Sequence, residues 1–269
     1  MDDGQALTRS KLEHTSTNDQ IEVVFRDPTM VHPLNIRPII ATFGDSLTQF
    51  GWGVNGQVGW ISLLASAYSR RADVLNRGFS GYNTRHALEL LPRIFVEDGT
   101  KDKAPVLFCT VFFGANDAAL PGEPQHVPLD EYRHNLGTIV RHIQDRGVPV
   151  ILLTPPPVDE DRWMSERETS VPDRRNEVTR NYSSACREVA TSHDCDVVDV
   201  FELLGGNGSD YSQHLSDGVH LSGSGNTLLC NALMQLLYDR YPNLAPMSGD
   251  GKNENVGIPM EEALWKDLC

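Results

Sequence analysis

The chain has 269 residues, a length that suits one large domain better than two. Its formal net charge of -14 and its lack of a basic run argue against binding to nucleic acid or to an anionic membrane surface, because the field of the whole protein repels phosphate groups. The 39% of hydrophobic residues is typical of a soluble globular protein.

The sequence also bears on the cellular compartment. The first twenty residues are polar and lack the apolar segment of a signal peptide, and no stretch reaches the roughly 20 apolar residues that a membrane span needs. The five cysteines are an odd number, lie far apart and include no C-x-x-C pair, which indicates reduced thiols. We therefore predict a cytoplasmic protein without a membrane-inserted segment. The oligomeric state is left open, and a homo-oligomer is one option.

Both ends of the chain differ in composition from the middle. Residues 1–36 are predicted to be a mobile tail, in which IEVVF (residues 21–25) could form a short edge strand. Residues 37–240 are predicted to form the one folded domain. Residues 241–269 are rich in Gly, Pro and Asn and form a C-terminal tail whose last residues, EEALWKDLC, could dock as a short helix.

Apolar strands alternate with segments of helical periodicity between the two tails. The predicted strands are PIIATF, ADVLNRG, PVLFCTVFF, VPVILLTPPP and DVVDV. The predicted helices are GWISLLASAYSR, TRHALELLPRIF, LDEYRHNLGTIVRHIQDRG with a cap at Asp130 and an end at Gly147, a helix after Pro172, and the strongly amphipathic GSGNTLLCNALMQLLYDRY. This alternation predicts β-α-β units and a mainly parallel sheet of five strands.

Ligands of such sheets bind beyond the carboxyl ends of the strands. Residues that directly follow a strand should therefore share one rim of the molecule. The segments in question are residues 44–46, 78–81, 114–117 and 154–157.

Ser46 follows the first of these strands. Read alone, it suits a helix cap as well as a nucleophile, because a serine hydroxyl attacks poorly unless a base removes its proton. Asp217 and His220, three residues apart, could supply that base as a carboxylate-oriented imidazole. Read alone, this pair suits a surface hydrogen bond equally well.

Two further rim segments hold hydrogen-bond donors. The side-chain amide of Asn116 could donate to a developing oxyanion, and the adjacent Asp117 could anchor the loop or cap the next segment. Gly81 can bring its backbone N–H close to a ligand because it has no side chain, although it could equally be a turn glycine.

Taken together, these segments resemble the SGNH-hydrolase (GDSL esterase/lipase) family. The matching motifs are GDSL at residues 44–47, the glycine of GYN, GAND at residues 114–117 and DGVH at residues 217–220, in the family's order. FFGANDA, LLTPPPV and SDGVHLSGSGN are similar to the isoamyl acetate-hydrolysing esterase branch. The resemblance covers roughly residues 38 to 240.

The resemblance implies a fold and an activity. The fold would be a three-layer α/β/α sandwich with a central, mainly parallel five-stranded sheet, as in flavodoxin-like proteins. The activity would be hydrolysis of short-chain, acetate-type carboxylic esters through an acyl-enzyme, on a small-molecule substrate and with no metal or organic cofactor.

The resemblance also implies roles for individual residues. Ser46 would be the nucleophile, His220 the general base and Asp217 its orienting partner. The backbone N–H groups of Ser46 and Gly81 and the side chain of Asn116 would form the oxyanion hole. Supporting positions would be Asp45, Asn83 and Asp117.

Other interpretations stay open. The family includes glycan O-deacetylases and lysophospholipase-like members, and a chain of this fold could also be a catalytically silent binding protein. GWGVNG, residues 51–56, formally satisfies G-x-G-x-x-G with Asp73 downstream, but seven residues separate it from the preceding strand. A loop that borders the cleft explains it better than a dinucleotide site.

Overall fold

The computed structural model describes residues 37–94, 104–208 and 210–246. Within these residues, five parallel strands form one sheet in the order β2-β1-β3-β4-β5. The prediction of a five-stranded parallel sheet is thereby confirmed. The strands are β1 (Ile39–Gly44), β2 (Asp73–Gly78), β3 (Val106–Phe112), β4 (Val150–Leu153) and β5 (Asp196–Val198).

Helices cover both faces of the sheet. Those in the described ranges are α1 (Ser46–Gln49), α2 (Trp60–Ala67), α3 (Thr84–Ile94), α4 (Leu129–Gln144), α5 (Glu160–Glu166), α6 (Asn176–Ser192), α7 (Val200–Leu203) and α8 (Gly223–Arg240). Helices α2 and α8 pack together on one face, and α3, α4 and α6 pack in a row on the other. The predicted three-layer α/β/α sandwich is confirmed.

The central strands are apolar on both faces because each face supports a core. In β3, Phe108 and Phe112 point into the core beneath α2 and α8, whereas Cys109 and Val111 point into the core beneath α3, α4 and α6. All four are at most 1% exposed. The continuous apolar run that predicted a central strand therefore reflects burial from two sides.

One predicted helix cap is wrong. Helix α4 begins at Leu129, and Pro128 occupies the capping position without a side-chain hydrogen bond. Asp130 instead lies in the first turn, where its charge favours the positive end of the helix dipole and pairs with Arg133 at 2.9 Å. Gly147 follows the end of this helix in the left-handed region, with φ of 73°.

The last helix is less amphipathic than predicted. Leu229, Leu233 and Leu237 of α8 are fully buried, but Met234 and Leu236 also pack against the same core from other sides of the helix. Its apolar residues therefore occupy more than one stripe.

Helix α5 was not predicted. The side chain of Asp159 caps it by accepting a hydrogen bond from the backbone N–H of Arg162. None of the seven residues of α5 is buried, so its sequence carries no apolar stripe. Periodicity gives no signal for such a helix.

The predicted N-terminal tail with its edge strand at residues 21–25, and the predicted helix in EEALWKDLC, lie outside the described residues. The first part of the predicted C-terminal tail, residues 241–246, lies against the domain. The hydroxyl of Tyr68 donates to the carbonyl of Leu244 at 2.7 Å, and Ala245 is buried. In the ranges that the structure covers, no helix has the length and apolar character to cross a membrane.

Candidate active site

The rim at the carboxyl ends of β1, β2 and β3 brings together three of the four predicted rim segments, at residues 44–46, 78–81 and 114–117. Ser46 begins α1 directly after β1, Gly81 lies in the turn after β2, and Asn116 lies in the turn after β3. All three line one cleft of about 220 Å³. The side chain of His220, from the loop before α8, lines the same cleft.

Ser46 is not the cap of its helix. The side chain of Asp45 fills that position, and its Oδ1 accepts a hydrogen bond from the backbone N–H of Leu47 at 2.9 Å. The hydroxyl of Ser46 is therefore available, and its Oγ lies 2.8 Å from Nε2 of His220. The backbone N–H of Ser46 sits in the first turn of α1, where no carbonyl within the helix can accept it.

His220 is held on its other side by Asp217. Its Nδ1 lies 2.5 Å from Oδ2 of Asp217, while Oδ1 accepts the backbone N–H groups of Val219 and His220 at 2.9 and 2.8 Å. Burial of Asp217 opposes its ionisation, but the hydrogen bond and charge of His220 and these N–H groups outweigh burial and lower the pKa to about 2. Asp217 is thus a carboxylate at neutral pH.

These contacts form a continuous hydrogen-bonded chain of Ser46, His220 and Asp217, called the relay below. An imidazole placed in this way can accept the serine proton at Nε2 while the carboxylate fixes the tautomer through Nδ1.

The loop that carries Asp217 and His220 is closed at its base. Leu215 and Leu221 form an antiparallel bridge, and the N–H of Ser216 donates to the carbonyl of His220 at 2.7 Å. Gly218, at its tip, has φ of 101° and packs so closely on α5 that a Cβ there would lie 2.6 Å from the carbonyl oxygen of Asp159. This position therefore requires glycine.

Two aromatic rings flank His220. The ring of Phe50, from the turn after α1, lies 5.2 Å from the imidazole centroid, and that of Trp163, from α5, lies 6.1 Å from it, both at steep angles. Phe50 directly precedes GWGVNG, but none of residues 51–56 lines the described cleft, so the place of this loop at its border stays a prediction. Asp73 is the first residue of β2, so it lies at the amino ends of the strands, and it pairs with Arg37. This position does not suit a dinucleotide site.

The amide of Asn116 is fixed at both ends. Its Nδ2 donates to the carbonyl of Tyr82 at 2.8 Å, and its Oδ1 accepts from Nη2 of Arg174 at 3.0 Å. Asn116 is 6% exposed and lines the cleft. In the described structure Nδ2 has no second protein acceptor, so its other hydrogen can be donated to a bound molecule.

Gly81 adopts a left-handed conformation with φ of 81°. Its carbonyl accepts a hydrogen bond from Nε2 of Gln125 at 3.1 Å, which holds the turn in place. No acceptor among the described residues bonds its backbone N–H. This N–H, that of Ser46 and the amide of Asn116 are therefore three donors at one cleft.

The three predicted supporting residues are buried behind the cleft. Asn83 donates to the carbonyl of Gln125 and caps the start of α3 by accepting from the N–H of His86. Burial raises the pKa of Asp45 to about 7, and the hydrogen bond from Leu47 only partly offsets this. Burial likewise raises the pKa of Asp117 to about 6, against its hydrogen bonds from Thr84.

Five residues that line the cleft were missed from the sequence, namely Gln125, Trp163, Arg167, Asp173 and Arg174. All five lie outside the strand-end turns that the rim rule singles out. Trp163 contacts both arginines, whose guanidinium carbons each lie 5.3 Å from its ring centroid. A tryptophan in a polar, proline-flanked segment was the one available signal.

The similarity to known proteins covers the chain segments that form this site. The model of the GDSL-like lipase/acylhydrolase family matches residues 42–228. An isoamyl acetate-hydrolyzing esterase 1 homolog of Mus musculus is 45% identical over 216 residues, which cover 77% of this chain and 84% of the relative. A GDSL esterase/lipase of Arabidopsis thaliana is 37% identical over 218 residues, which cover 77% of this chain and 88% of that one.

Solved structures agree with this comparison. A lipase/acylhydrolase from Enterococcus faecalis superimposes with a TM-score of 0.59 at 25% sequence identity, covering 79% of this chain and all of that chain. An acetylxylan esterase from Geobacillus stearothermophilus superimposes with a TM-score of 0.55 at 21% identity over 75% of this chain and 95% of its own, and shows the shared fold.

Proposed function

The chain belongs to the GDSL-like lipase/acylhydrolase family and is a carboxylic ester hydrolase. From this premise we propose that it is a serine esterase, which hydrolyses short, acetate-type esters through an acyl-enzyme. The observation that carries the proposal is the relay, with 2.8 Å between Ser46 and His220 and 2.5 Å between His220 and Asp217.

In the first step, Nε2 of His220 takes the hydroxyl proton of Ser46 as Oγ forms a bond to the ester carbonyl carbon. The carbonyl oxygen then carries negative charge. The N–H groups of Ser46 and Gly81 and Nδ2 of Asn116 would donate to it. Because these donors are held in place before the reaction, they need not reorganise as the charge develops.

In the second step, the bond to the alcohol oxygen breaks and His220 gives its proton to that oxygen. The acyl group stays on Ser46. Water then repeats the sequence, losing a proton to His220 and attacking the acyl carbon, after which the acid leaves and the proton returns to Ser46. Asp217 holds the imidazole in one tautomer and stabilises its protonated form.

The size and lining of the cleft support a short acyl group. Its volume of about 220 Å³ is below the roughly 300–1,000 Å³ that drug-sized ligands occupy. Besides the relay, its lining is mostly charged and polar, including Arg174 and Asp173, and its apolar side chains are those of Trp163 and Val219. The names of the mammalian relatives, which refer to an acetate ester, point the same way.

The covalent step can be tested with a fluorophosphonate probe. The probe should label Ser46, as located by mass spectrometry, and Ser46→Ala should lose both the label and at least about 10⁴-fold of kcat on p-nitrophenyl acetate. Ser66→Ala, which changes an exposed serine of α2, is the matched control and should keep both. Full activity in Ser46→Ala would overturn the proposal.

The substrate class can be tested separately. Initial rates should fall along p-nitrophenyl esters from acetate to palmitate, because a small and mostly polar cleft offers a longer apolar chain little surface against which to pack. Acetylated xylan and a lysophospholipid are run in the same assay. A higher kcat/KM on either of these than on p-nitrophenyl acetate would replace the acetate-type proposal with a glycan O-deacetylase or a lysophospholipase.

A further inference from the structure

The guanidinium of Arg174 lies directly behind the oxyanion donors. It is 4% exposed, a rare degree of burial for an arginine. Its Nη1 donates to Asp173 at 2.7 Å, and its Nε donates to the carbonyl of Ala115 at 3.3 Å. A buried ion pair of this kind contributes little to stability on balance, so its position at the cleft calls for another explanation.

The remaining nitrogen of Arg174 contacts the oxyanion machinery. Nη2 donates to Oδ1 of Asn116 at 3.0 Å and to Oε1 of Gln125 at 2.7 Å. Gln125 in turn holds the carbonyl of Gly81. One guanidinium nitrogen thus reaches Asn116 directly and the turn of Gly81 through one intervening side chain.

The chemistry of the two groups fixes the orientation of Asn116. A guanidinium can only donate, so it must face the amide oxygen, and the carbonyl of Tyr82 can only accept, so it must face the amide nitrogen. A reversed amide would place like groups together at both ends. With both contacts in place, the plane of the amide is held and the second hydrogen of Nδ2 is left for the cleft.

The charge of Arg174 has a further effect. A hydrogen bond from a cation to the amide oxygen polarises the amide and makes its N–H groups better donors, and this effect is larger in a buried, low-dielectric setting. The gain would be greatest when a negative oxygen forms beside Nδ2. Asp173 pairs with Arg174 and also with Arg167.

We propose that Arg174 is a positioning residue that acts on the reaction through Asn116, by fixing and polarising its oxyanion-donating amide. The inference rests on the proposed serine-esterase function. The hydrogen bond that Arg174 strengthens is made to the oxyanion of the transition state. Loss of Arg174 therefore lowers kcat and leaves KM nearly unchanged.

The test is a double-mutant cycle on p-nitrophenyl acetate. Arg174→Met should lower kcat by about 10- to 100-fold, the range expected for a displaced or weakened oxyanion donor. In an Asn116→Ala background, the same change should cost less than about 3-fold, since the amide through which Arg174 acts is gone. Equal losses in both backgrounds would overturn the proposal.

Two further variants complete the design. Arg175→Met changes the neighbouring, exposed arginine and should leave kcat and the melting temperature unchanged. Arg174→Lys keeps the charge beside Asp173 but cannot donate to all four acceptors, so it should fold and show an intermediate loss that Asn116→Ala again suppresses. If Arg174→Met does not fold, the cycle is carried out with Arg174→Lys and judged by the same criterion.

Failure of this proposal differs from failure of the proposed function. If Ser46→Ala stays active, the serine mechanism itself is wrong. If Ser46→Ala and Asn116→Ala both lose activity but Arg174 variants lose the same factor in both backgrounds, the serine mechanism stands and Arg174 acts by another route.

Discussion

Asp117 binds the first residue of α3, Thr84, which lies 33 residues earlier in the chain: its Oδ1 accepts both the backbone N–H of Thr84, at 3.0 Å, and the hydroxyl of Thr84, at 2.5 Å. The carboxylate directly follows Asn116, and Thr84 lies three residues after Gly81. This contact therefore ties the turn after β3 to the turn after β2. Two of the three proposed oxyanion donors belong to these turns.

Removal of the contact should disturb both stability and catalysis. Asp117→Ala should lower the free energy of unfolding by about 1–3 kcal/mol, because the buried donors of Thr84 lose their acceptor. It should also lower kcat, because the turns that carry Asn116 and Gly81 are no longer held in their relative positions. Asp117→Asn should retain more of both, since an amide oxygen can accept the same bonds. Urea unfolding and p-nitrophenyl acetate kinetics measure the two effects, and an unchanged midpoint in Asp117→Ala would contradict the prediction.

Asp217→Asn should leave the fold intact and remove most of the activity. An amide oxygen at Oδ1 can still accept the N–H groups of Val219 and His220. Its NH₂ group, however, would donate to Nδ1 and force the proton of His220 onto Nε2, where it faces Ser46. We expect a loss of about 10⁴-fold in kcat at neutral pH, as in serine proteases with the same change. A loss below tenfold with an unchanged melting temperature would contradict an orienting role.

Stability should fall with rising pH because of Asp45. Its pKa is raised from 3.8 to about 7 in the folded protein, so the folded state holds a proton that the unfolded state releases. This contribution is complete below pH 3.8 and is lost as the pH rises towards 7. Asp117, with its pKa raised to about 6, acts in the same direction.

Asp45→Asn removes this dependence. The free energy of unfolding of the variant, relative to that of the unsubstituted protein, should be higher at pH 8 than at pH 5. Urea unfolding at both pH values measures this difference. Asp130→Asn, whose side chain is 99% exposed, is the control and should show the same difference at both pH values. If Asp45→Asn also shows no change between pH 5 and pH 8, the buried carboxyl does not titrate as argued.

Gly78→Ala should displace the helix that presents Ser46. A Cβ at this position would lie 2.0 Å from the backbone nitrogen of Gln49 and 2.4 Å from its Cα, so β2 and α1 must move apart. We expect a loss of about 1–3 kcal/mol in stability, as for other overpacked sites, together with a lower kcat. In Gly208→Ala the nearest atom would lie 3.5 Å away, and this control should change neither. Wild-type kinetics in Gly78→Ala would show that the helix can shift without moving Ser46.

Sequence reasoning predicted the sheet because burial on two faces leaves long apolar runs, as in β3. It also brought Ser46, Gly81 and Asn116 to one rim, because parallel strands end on the same side. Helix α5 was not predicted, because none of its residues is buried and its sequence therefore shows no apolar stripe. The cap at Asp130 was wrong because Pro128, with its restricted φ, occupies the capping position two residues earlier without a side-chain hydrogen bond.

Arg174 escaped for a different reason. An arginine in the polar stretch VPDRRNEV reads as a surface residue, and nothing local distinguishes it from Arg175, which is exposed. Its burial depends on acceptors far along the chain, the amide of Asn116 among them, 58 residues away. Such a partnership exists only once the tertiary structure has formed, so residue type and spacing do not reveal it.

The sequence separation of 174 positions between Ser46 and His220 has a consequence for how the molecule can be studied. A fragment that ends before residue 220 and a fragment that starts after residue 46 each lack one of the two groups, so ester turnover begins only when the loop before α8 has docked beside α1. During refolding from denaturant, the appearance of product should therefore lag behind the recovery of helical circular dichroism. The onset of ester hydrolysis therefore reports when the segment that carries His220 reaches Ser46.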